Sequence, residues 1–226
     1  MMATRKTATP GVDAPKLAKP VGEVLRGSLA TLRREAKSCR RCPLWRDATQ
    51  TVFGAGPADA RMFLIGEQPG NQEDLEGTPF VGPAGMLLRE VLDEAGIDVA
   101  SLYLTNTVKH FKFERRGKAR LHKRAFASEQ TACRPWLAAE LARVRPDVVV
   151  ALGAMATQTL FGSGFRVTAG RGKWQSIGPL TRALATWHPS AILRMQSRER
   201  EVARRQLVAD LKKAAKGLQG GPRPGD

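Results

Sequence analysis

The sequence predicts an α/β fold: a three-layer α/β/α sandwich around a central four-stranded parallel sheet. Three observations lead there. Apolar strand patterns alternate along the chain with helical ones, the order that yields parallel strands joined by crossover helices. One strand candidate, DVVVALG from Asp147 to Gly153, is a run rich in β-branched residues, as expected of a strand buried on both faces. Four strand ends, near Glu67, Val108, Gly153 and His188, fall at one carboxyl edge, where open α/β sheets place their sites.

Residues 1–21 are rich in Pro and Lys and read as a disordered basic arm without the apolar core of a secretory signal. Residues 22–218 read as a single domain and 219–226 as a disordered tail. Over 22–37, Val24, Leu25, Leu29, Leu32 and Ala36 recur at helical spacing, weakened by Gly27. The strand RMFLIG leads into a long Gly- and Pro-rich loop. A helix over 83–95 follows, with Leu87, Leu88, Val91 and Leu92 on one face and Gly96 as its stop. Leu102 to Val108 forms the second strand, and a basic insertion, KHFKFERRGKARLHKRAF, comes after it. Ser128 is suited to cap the next helix, which runs to about Val144; Pro135 must lie in its first turn or kink it. After DVVVALG come a short helix, AMATQTLF, and a Gly-rich connection over 163–182 with weak strand character. Ala183 to His188 is the last core strand. A helix from about Arg198 to Leu218 closes the fold with Val208, Leu211 and Ala215 inward.

The formal net charge is +16, from 37 Lys and Arg against 21 Asp and Glu. An excess this large favours a polyanionic partner, nucleic acid before membrane. No apolar run approaches the roughly 20 residues that span a bilayer. Three cysteines, two of them in a C-x-x-C, suit an intracellular metal or redox site better than disulfides. The expectation is a monomeric cytoplasmic protein, associated with the nucleoid in a bacterial-type cell.

Cys39 and Cys42 fit a zinc pair, an iron–sulfur pair or a redox dithiol, although nothing around them resembles the helix start of a thioredoxin site. Cys133 is the third thiolate. A tetrahedral site needs a fourth ligand, and His110, just past the second strand, is the best placed. Spacing alone does not choose between zinc and an iron–sulfur cluster.

The stretch from Leu64 to Leu88, LIGEQPGNQEDLEGTPFVGPAGMLL, organises the chain. It carries Glu67, Gln68, Glu73, Asp74, Glu76 and Phe80 between a strand and a helix. Loops this long inside compact domains are usually functional. GEQPG followed by GTPFVGPAG resembles the first motif of the uracil-DNA glycosylase superfamily. It is similar to the iron–sulfur members of family 4 and most similar to their X-type branch, which has Gln in that core. WHPSAILR resembles the second motif, and the resemblance runs from about Ser38 to Leu211.

The resemblance implies roles. Cys39, Cys42 and Cys133 (in ACRPW) match three ligands of a [4Fe–4S] cluster, and His110 stands where family 4 has the fourth Cys, as in the X-type branch. Structural zinc is the rival. Phe80, Asn106 and Gly66 would contact a uracil flipped out of the DNA. The Asn106 amide can donate to O4 and accept from N3–H, whereas cytosine presents the opposite pattern. His188 would donate to uracil O2 as the base leaves as an anion. The insertion, with six basic residues among the ten from Arg115 to Arg124, resembles the K-R-R-I-H loop of the X-type branch, here KARLH. There the histidine attacks sugar C1′ and stays attached, which implies that role for His122. Ala119 replaces the first Arg of that motif, and Arg120 keeps the second. Lys118, Arg120 and Lys123 would hold phosphates; surrounding cations would keep His122 neutral. Glu67 and Gln68 would position the nucleotide and polarise His122 or a water. Some of the acids at 73–76 would pair with the basic loop. Together these imply excision of uracil from DNA, preferably single-stranded, followed by covalent capture. A turning-over hydrolase using water, and a non-catalytic iron–sulfur DNA-binding protein, are the alternatives.

Overall fold

A computed structural model describes residues 25–178 and 181–218. The arm expected at 1–21 and the tail at 219–226 lie outside the described residues. In chain order the elements are α1 (Leu29–Ala36), β1 (Met62–Gly66), α2 (Asn71–Glu76), α3 (Pro83–Glu94), β2 (Leu102–Asn106), β3 (Phe113–Arg116), β4 (Ala119–His122), α4 (Ala127–Val144) and β5 (Val148–Leu152). They continue with α5 (Gly153–Phe161), α6 (Val167–Gly170), β6 (Gln175–Ser176), β7 (Arg182–Thr186), α7 (Pro189–Leu193) and α8 (Ser197–Gly217).

The main sheet has the order β2-β1-β5-β7-β6. The first four strands are parallel, as the sequence predicts. The sheet is five-stranded rather than four-stranded, because the two-residue β6 pairs antiparallel to the edge of β7. Two residues are too short to show strand periodicity, so this edge is set by pairing and not by pattern.

Alternation along the strands builds the three layers. Met62, Leu64, Val148, Val150 and Leu184 face α3, α7 and α8. Phe63, Ile65, Val149, Ala151 and Ala183 face α4 and α5. β1, β2 and β5 are buried along their whole length. Truncating Leu64, Ile65 or Leu184 to Ala costs about 2–5 kcal/mol. Among the described residues, no helix is long and apolar enough to cross a membrane.

Several local expectations shift. α1 begins at Leu29 behind a Ser28 cap, whose side chain accepts the Thr31 N–H at 3.2 Å. The N-cap of α4 is Phe126, not Ser128, and Glu129 inside the first turn reaches back to accept the Phe126 N–H at 2.6 Å. Pro135 therefore lies inside α4, not in its first turn. The long loop after β1 contains α2. The basic insertion is an antiparallel hairpin, β3–β4, turned by Gly117 and Lys118.

Behind the sheet edge lies a buried ion pair. Lys109 Nζ contacts Glu140 Oε2 at 2.6 Å, both side chains being fully buried. The ammonium also donates to Thr105 Oγ1 and to the Asn106 carbonyl, at 2.6 and 2.7 Å. Glu140 accepts in addition from Thr105, Tyr103 and the Gly54 N–H. Every charge-bearing atom is thus paired, the condition under which a buried pair is tolerated. Lys109→Met leaves Glu140 buried without its cation and should cost about 3–5 kcal/mol in equilibrium denaturant unfolding; unchanged stability would contradict this account of the network.

Candidate active site

A cavity of about 880 Å³ opens at the carboxyl edge of the parallel strands. Glu67, Gln68, Phe80, Asn106, His122 and His188 all line it. The parallel register pairs Gly66 with Asn106. A side chain at 66 would overlap Asn106 Oδ1 and come within 2.6 Å of Phe80 Cζ, so glycine there lets amide and ring share one wall. Asn106 is only 3% exposed, yet its amide makes no hydrogen bond among the described residues. A polar group left unpaired against a cavity is what a ligand-reading group looks like. Phe80 is buried with a φ of 58°, a sparsely populated conformation for a side chain of this size. Its ring lies 6.3 Å from the His188 ring, with 28° between the planes.

His188 lies two residues past the end of β7, not at its last position as the sequence suggests, and is the N-cap of α7. Its Nδ1 accepts the Ser190 N–H at 3.1 Å. That bond fixes the neutral tautomer with its proton on Nε2, which is left to donate. Burial first, then Arg194 and His122, lower its pKa to about 4. The adjoining Gly153 has φ +81°, and a Cβ there would meet His188 Cβ at 2.7 Å.

His122 ends β4, so the hairpin sets its position. Two clamps hold that hairpin. Gln68 Nε2 donates to the Lys123 and Lys112 carbonyls at 2.9 and 3.4 Å, and its Oε1 accepts the Ala125 N–H at 2.9 Å. This amide is thus engaged with the backbone at the hairpin's base while it also lines the cavity. Arg120 is the second clamp. Its guanidinium pairs with the fully buried Asp74 at 2.6 Å and donates to Asn71 Oδ1 at 2.7 Å. Arg120 therefore anchors the hairpin to α2 instead of facing outward to a phosphate. Asp74 in turn accepts the Thr49 N–H. Glu73 holds the loop itself, accepting from the Gly70 and Gly82 N–H groups at 3.0 and 2.8 Å.

The His122 side chain remains open to solvent, but crowding by protein lowers its pKa, with Arg194 reinforcing and Glu67 and Glu73 opposing. Desolvation and Arg194, not the hairpin's own cations, are what favour the neutral ring. The Glu67 carboxylate makes no hydrogen bond among the described residues and opposes this shift more strongly than Glu73 does. Lys123 pairs with Glu114 at 2.6 Å on the exposed face, and Lys118 stands at the turn, outside the cavity. Ser190, Arg124 and Arg194 are cavity residues that pattern reasoning did not single out. Ser190 and Arg194 lie within WHPSAILR, so that stretch already contained them.

Comparison with known proteins decides the family. A model of the uracil DNA glycosylase superfamily matches residues 53–212. The chain belongs to the uracil DNA glycosylase superfamily. It is similar to the type-4 uracil-DNA glycosylase of Thermotoga maritima, 39% identical over 180 residues covering 79% of this chain and 88% of the relative. The corresponding protein of Archaeoglobus fulgidus is 35% identical over 76% and 87% of the two chains. A type-5 uracil-DNA glycosylase of Pyrobaculum aerophilum is 28% identical over 73% and 76%.

Cys39 and Cys42 precede the matched superfamily region, whereas His110 and Cys133 lie within it. The three thiols are free and buried in one layer with Trp136, Phe53 and Val108. Cys39 Sγ accepts from Trp136 Nε1 at 3.3 Å, and Cys133 Sγ accepts the Lys109 N–H at 3.2 Å. His110, 3% exposed, shares a hydrogen bond with Thr51 at 2.9 Å. Thr51 in turn donates to the Ala36 carbonyl, which also accepts the Cys39 N–H. The imidazole thus reaches the segment that carries the C-x-x-C. Among the described residues, no three His, Cys, Asp or Glu side chains are grouped to hold a single metal ion.

Gln68→Ala leaves the Ala125 N–H without its acceptor. Hydrogen exchange at Ala125 and Lys123 should then quicken about 5- to 30-fold, the equivalent of about 1–2 kcal/mol. Unchanged protection there would show that the hairpin does not depend on this amide.

Proposed function

We propose that the chain is a uracil-DNA glycosylase that removes uracil from DNA, preferably single-stranded, and then captures the abasic sugar on His122. The observation that carries the reading is the cavity in which an unpaired Asn106 amide, a His188 ring locked as an Nε2–H donor and the His122 imidazole converge. Family membership and the type-4 relatives support the excision step. Single-stranded DNA presents an unpaired base, which lowers the cost of extrusion.

In this reading Phe80 stacks on the flipped base, with Gly66 leaving room beneath it, and Asn106 reads O4 and N3–H. The C1′–N1 bond breaks and its electron pair leaves with the uracil. The negative charge that develops at O2 is met by the His188 Nε2–H, a donor already in place and desolvated. The sugar becomes an oxocarbenium-like cation. A neutral His122 nitrogen gives its lone pair to C1′, forming a C1′–N bond, and the ring sheds its N–H proton to solvent while the uracil anion gains one. Glu67 stabilises the transient charge on that ring. Because His122 is held on a clamped hairpin, the nearest nucleophile is a side chain and not a free water, so turnover is low. The basic surface, with Arg124 and Arg194 at the cavity mouth, adds salt-sensitive affinity. The protein works as a monomer on nucleoid DNA.

Cys39, Cys42, His110 and Cys133 would hold a [4Fe–4S] cluster. The three thiols are buried in one apolar layer, and two of their sulfurs accept N–H donors, as thiolate ligands of a cluster do. Its role is to cross-link the segment around Cys39 to the loop after β2 and to α4. An anaerobically purified protein should be brown and contain iron and sulfide; zinc without iron would overturn the assignment.

Incubation with a single-stranded oligonucleotide containing one uracil should give a covalent protein–DNA band on a denaturing gel, absent with thymine and absent in His122→Ala. A His122→Ala protein that also releases no uracil would count against capture as a separate step. His188→Phe should slow uracil release by roughly 10²–10³. Since the folded-state pKa of His188 is about 4, its Nε2–H donor is constant through neutral pH; protonation at Nδ1 below about pH 4 keeps that donor but takes away the acceptor of the Ser190 N–H that orients the ring. His122, also shifted below the ordinary histidine value, keeps capture efficient below pH 6.5; a capture yield that halves near pH 6.5 would contradict the shift.

A further inference from the structure

Beyond the hairpin from the uracil cavity lies a second groove of about 590 Å³, lined by Asn71, Leu75, Arg115, Lys118, Ala119 and Arg120. Its size falls within the range of small-ligand clefts, about 300–1,000 Å³. Asn71 lines both cavities, so the two adjoin at that residue. The wall between them is rigid, because Asn71 Oδ1 accepts from Arg120 Nε at 2.7 Å and Arg120 is tied to Asp74. The groove combines two features that the chemistry at His122 does not use. Leu75 is 57% exposed, a large apolar side chain with nothing packed over it. Arg115 and Lys118 have no carboxylate partner among the described residues, unlike Arg120 and Lys123. Ala119, the shortest side chain of the lining, leaves the hairpin wall low.

Resting on the glycosylase reading above, we propose that this groove is a nucleotide subsite for the single strand adjoining the extruded uracil. The neighbouring base lies on Leu75, and its phosphate meets Arg115 and Lys118. Cations that track the backbone beside a face on which a base can lie hold single-stranded DNA without reading sequence; aromatic faces do this best, and Leu75 offers a smaller aliphatic one. A base has an apolar face whatever its identity, so the subsite is indifferent to which nucleotide follows. Adjacency to the uracil cavity at Asn71 and charge complementarity both select a nucleic-acid strand as the occupant. The subsite takes nucleotides on one side of the uracil only, because the groove adjoins the cavity on one side.

The test compares three single-stranded substrates under single-turnover, subsaturating conditions: a trinucleotide with central uracil, and the same trinucleotide extended by four thymidines either 5′ or 3′. Extension on one side should raise the second-order rate of uracil release about tenfold in the unmodified chain. Leu75→Ser should erase most of that gain while leaving the trinucleotide rate within about twofold. Leu75→Phe should preserve or increase the gain. A gain that survives Leu75→Ser undiminished overturns the subsite, as does an equal loss on the trinucleotide, which would indicate distortion of α2. Failure of the unmodified chain to release uracil from any substrate overturns the glycosylase reading and the subsite with it.

Discussion

The arrangement depends on how one buried amide and one buried carboxylate hold a surface hairpin. Gln68 commits its oxygen and its amide hydrogens to the backbone at the base of β3–β4, and Asp74 receives Arg120 from β4. Breaking either would leave buried polar groups unpaired, at about 1–3 kcal/mol each. A charged hairpin with little core of its own thereby acquires a fixed position over the cavity. Both anchors come from the segment that immediately follows β1, so the loop lining one side of the cavity also places the residue that closes the other.

Electrostatics within the site run against the charge of the molecule as a whole. A protein of net charge +16 attracts a polyanion from a distance. At the cavity, burial, with Arg194 in support, keeps His188 and His122 neutral. A neutral ring can donate from one nitrogen or attack with the other, and an imidazolium can do only the first. In the proposed reaction, global charge gathers the substrate and local desolvation keeps two of the chain's three histidines neutral. The third, His110, is buried at the cysteine layer.

Much of the frame was legible because its signals are local. The β-branched run of β5, the apolar face of α3 and the strand ends near Glu67 and Val108, one and two residues past their observed positions at Gly66 and Asn106, follow from side-chain period and from single-residue chemistry. The features that escaped are those decided by distant partners. β6 exists only because β7 offers an edge. The hairpin was hidden by its charge, although Gly117 between FERR and ARLH marked a two-residue turn. Gln68 looked catalytic from its place beside Glu67, but its partners at Lys112, Lys123 and Ala125 lie 44–57 residues away. Arg120 looked like a phosphate ligand until Asp74, buried beneath it, claimed the guanidinium. The expectation that acids at 73–76 brace the basic loop has its counterpart in that same pair. Phe80 could be named from sequence but not its left-handed backbone.

The central claim is that the side chain of His122, and no water, ends the reaction. The most direct measurement is mass spectrometry of the protein after reaction with a uracil-containing single strand, nuclease digestion and proteolysis. The account predicts that the peptide carrying His122 gains the mass of a deoxyribose phosphate, with fragmentation assigning it to the imidazole. An unmodified His122 peptide recovered alongside released uracil would contradict it, as would the adduct on any other residue.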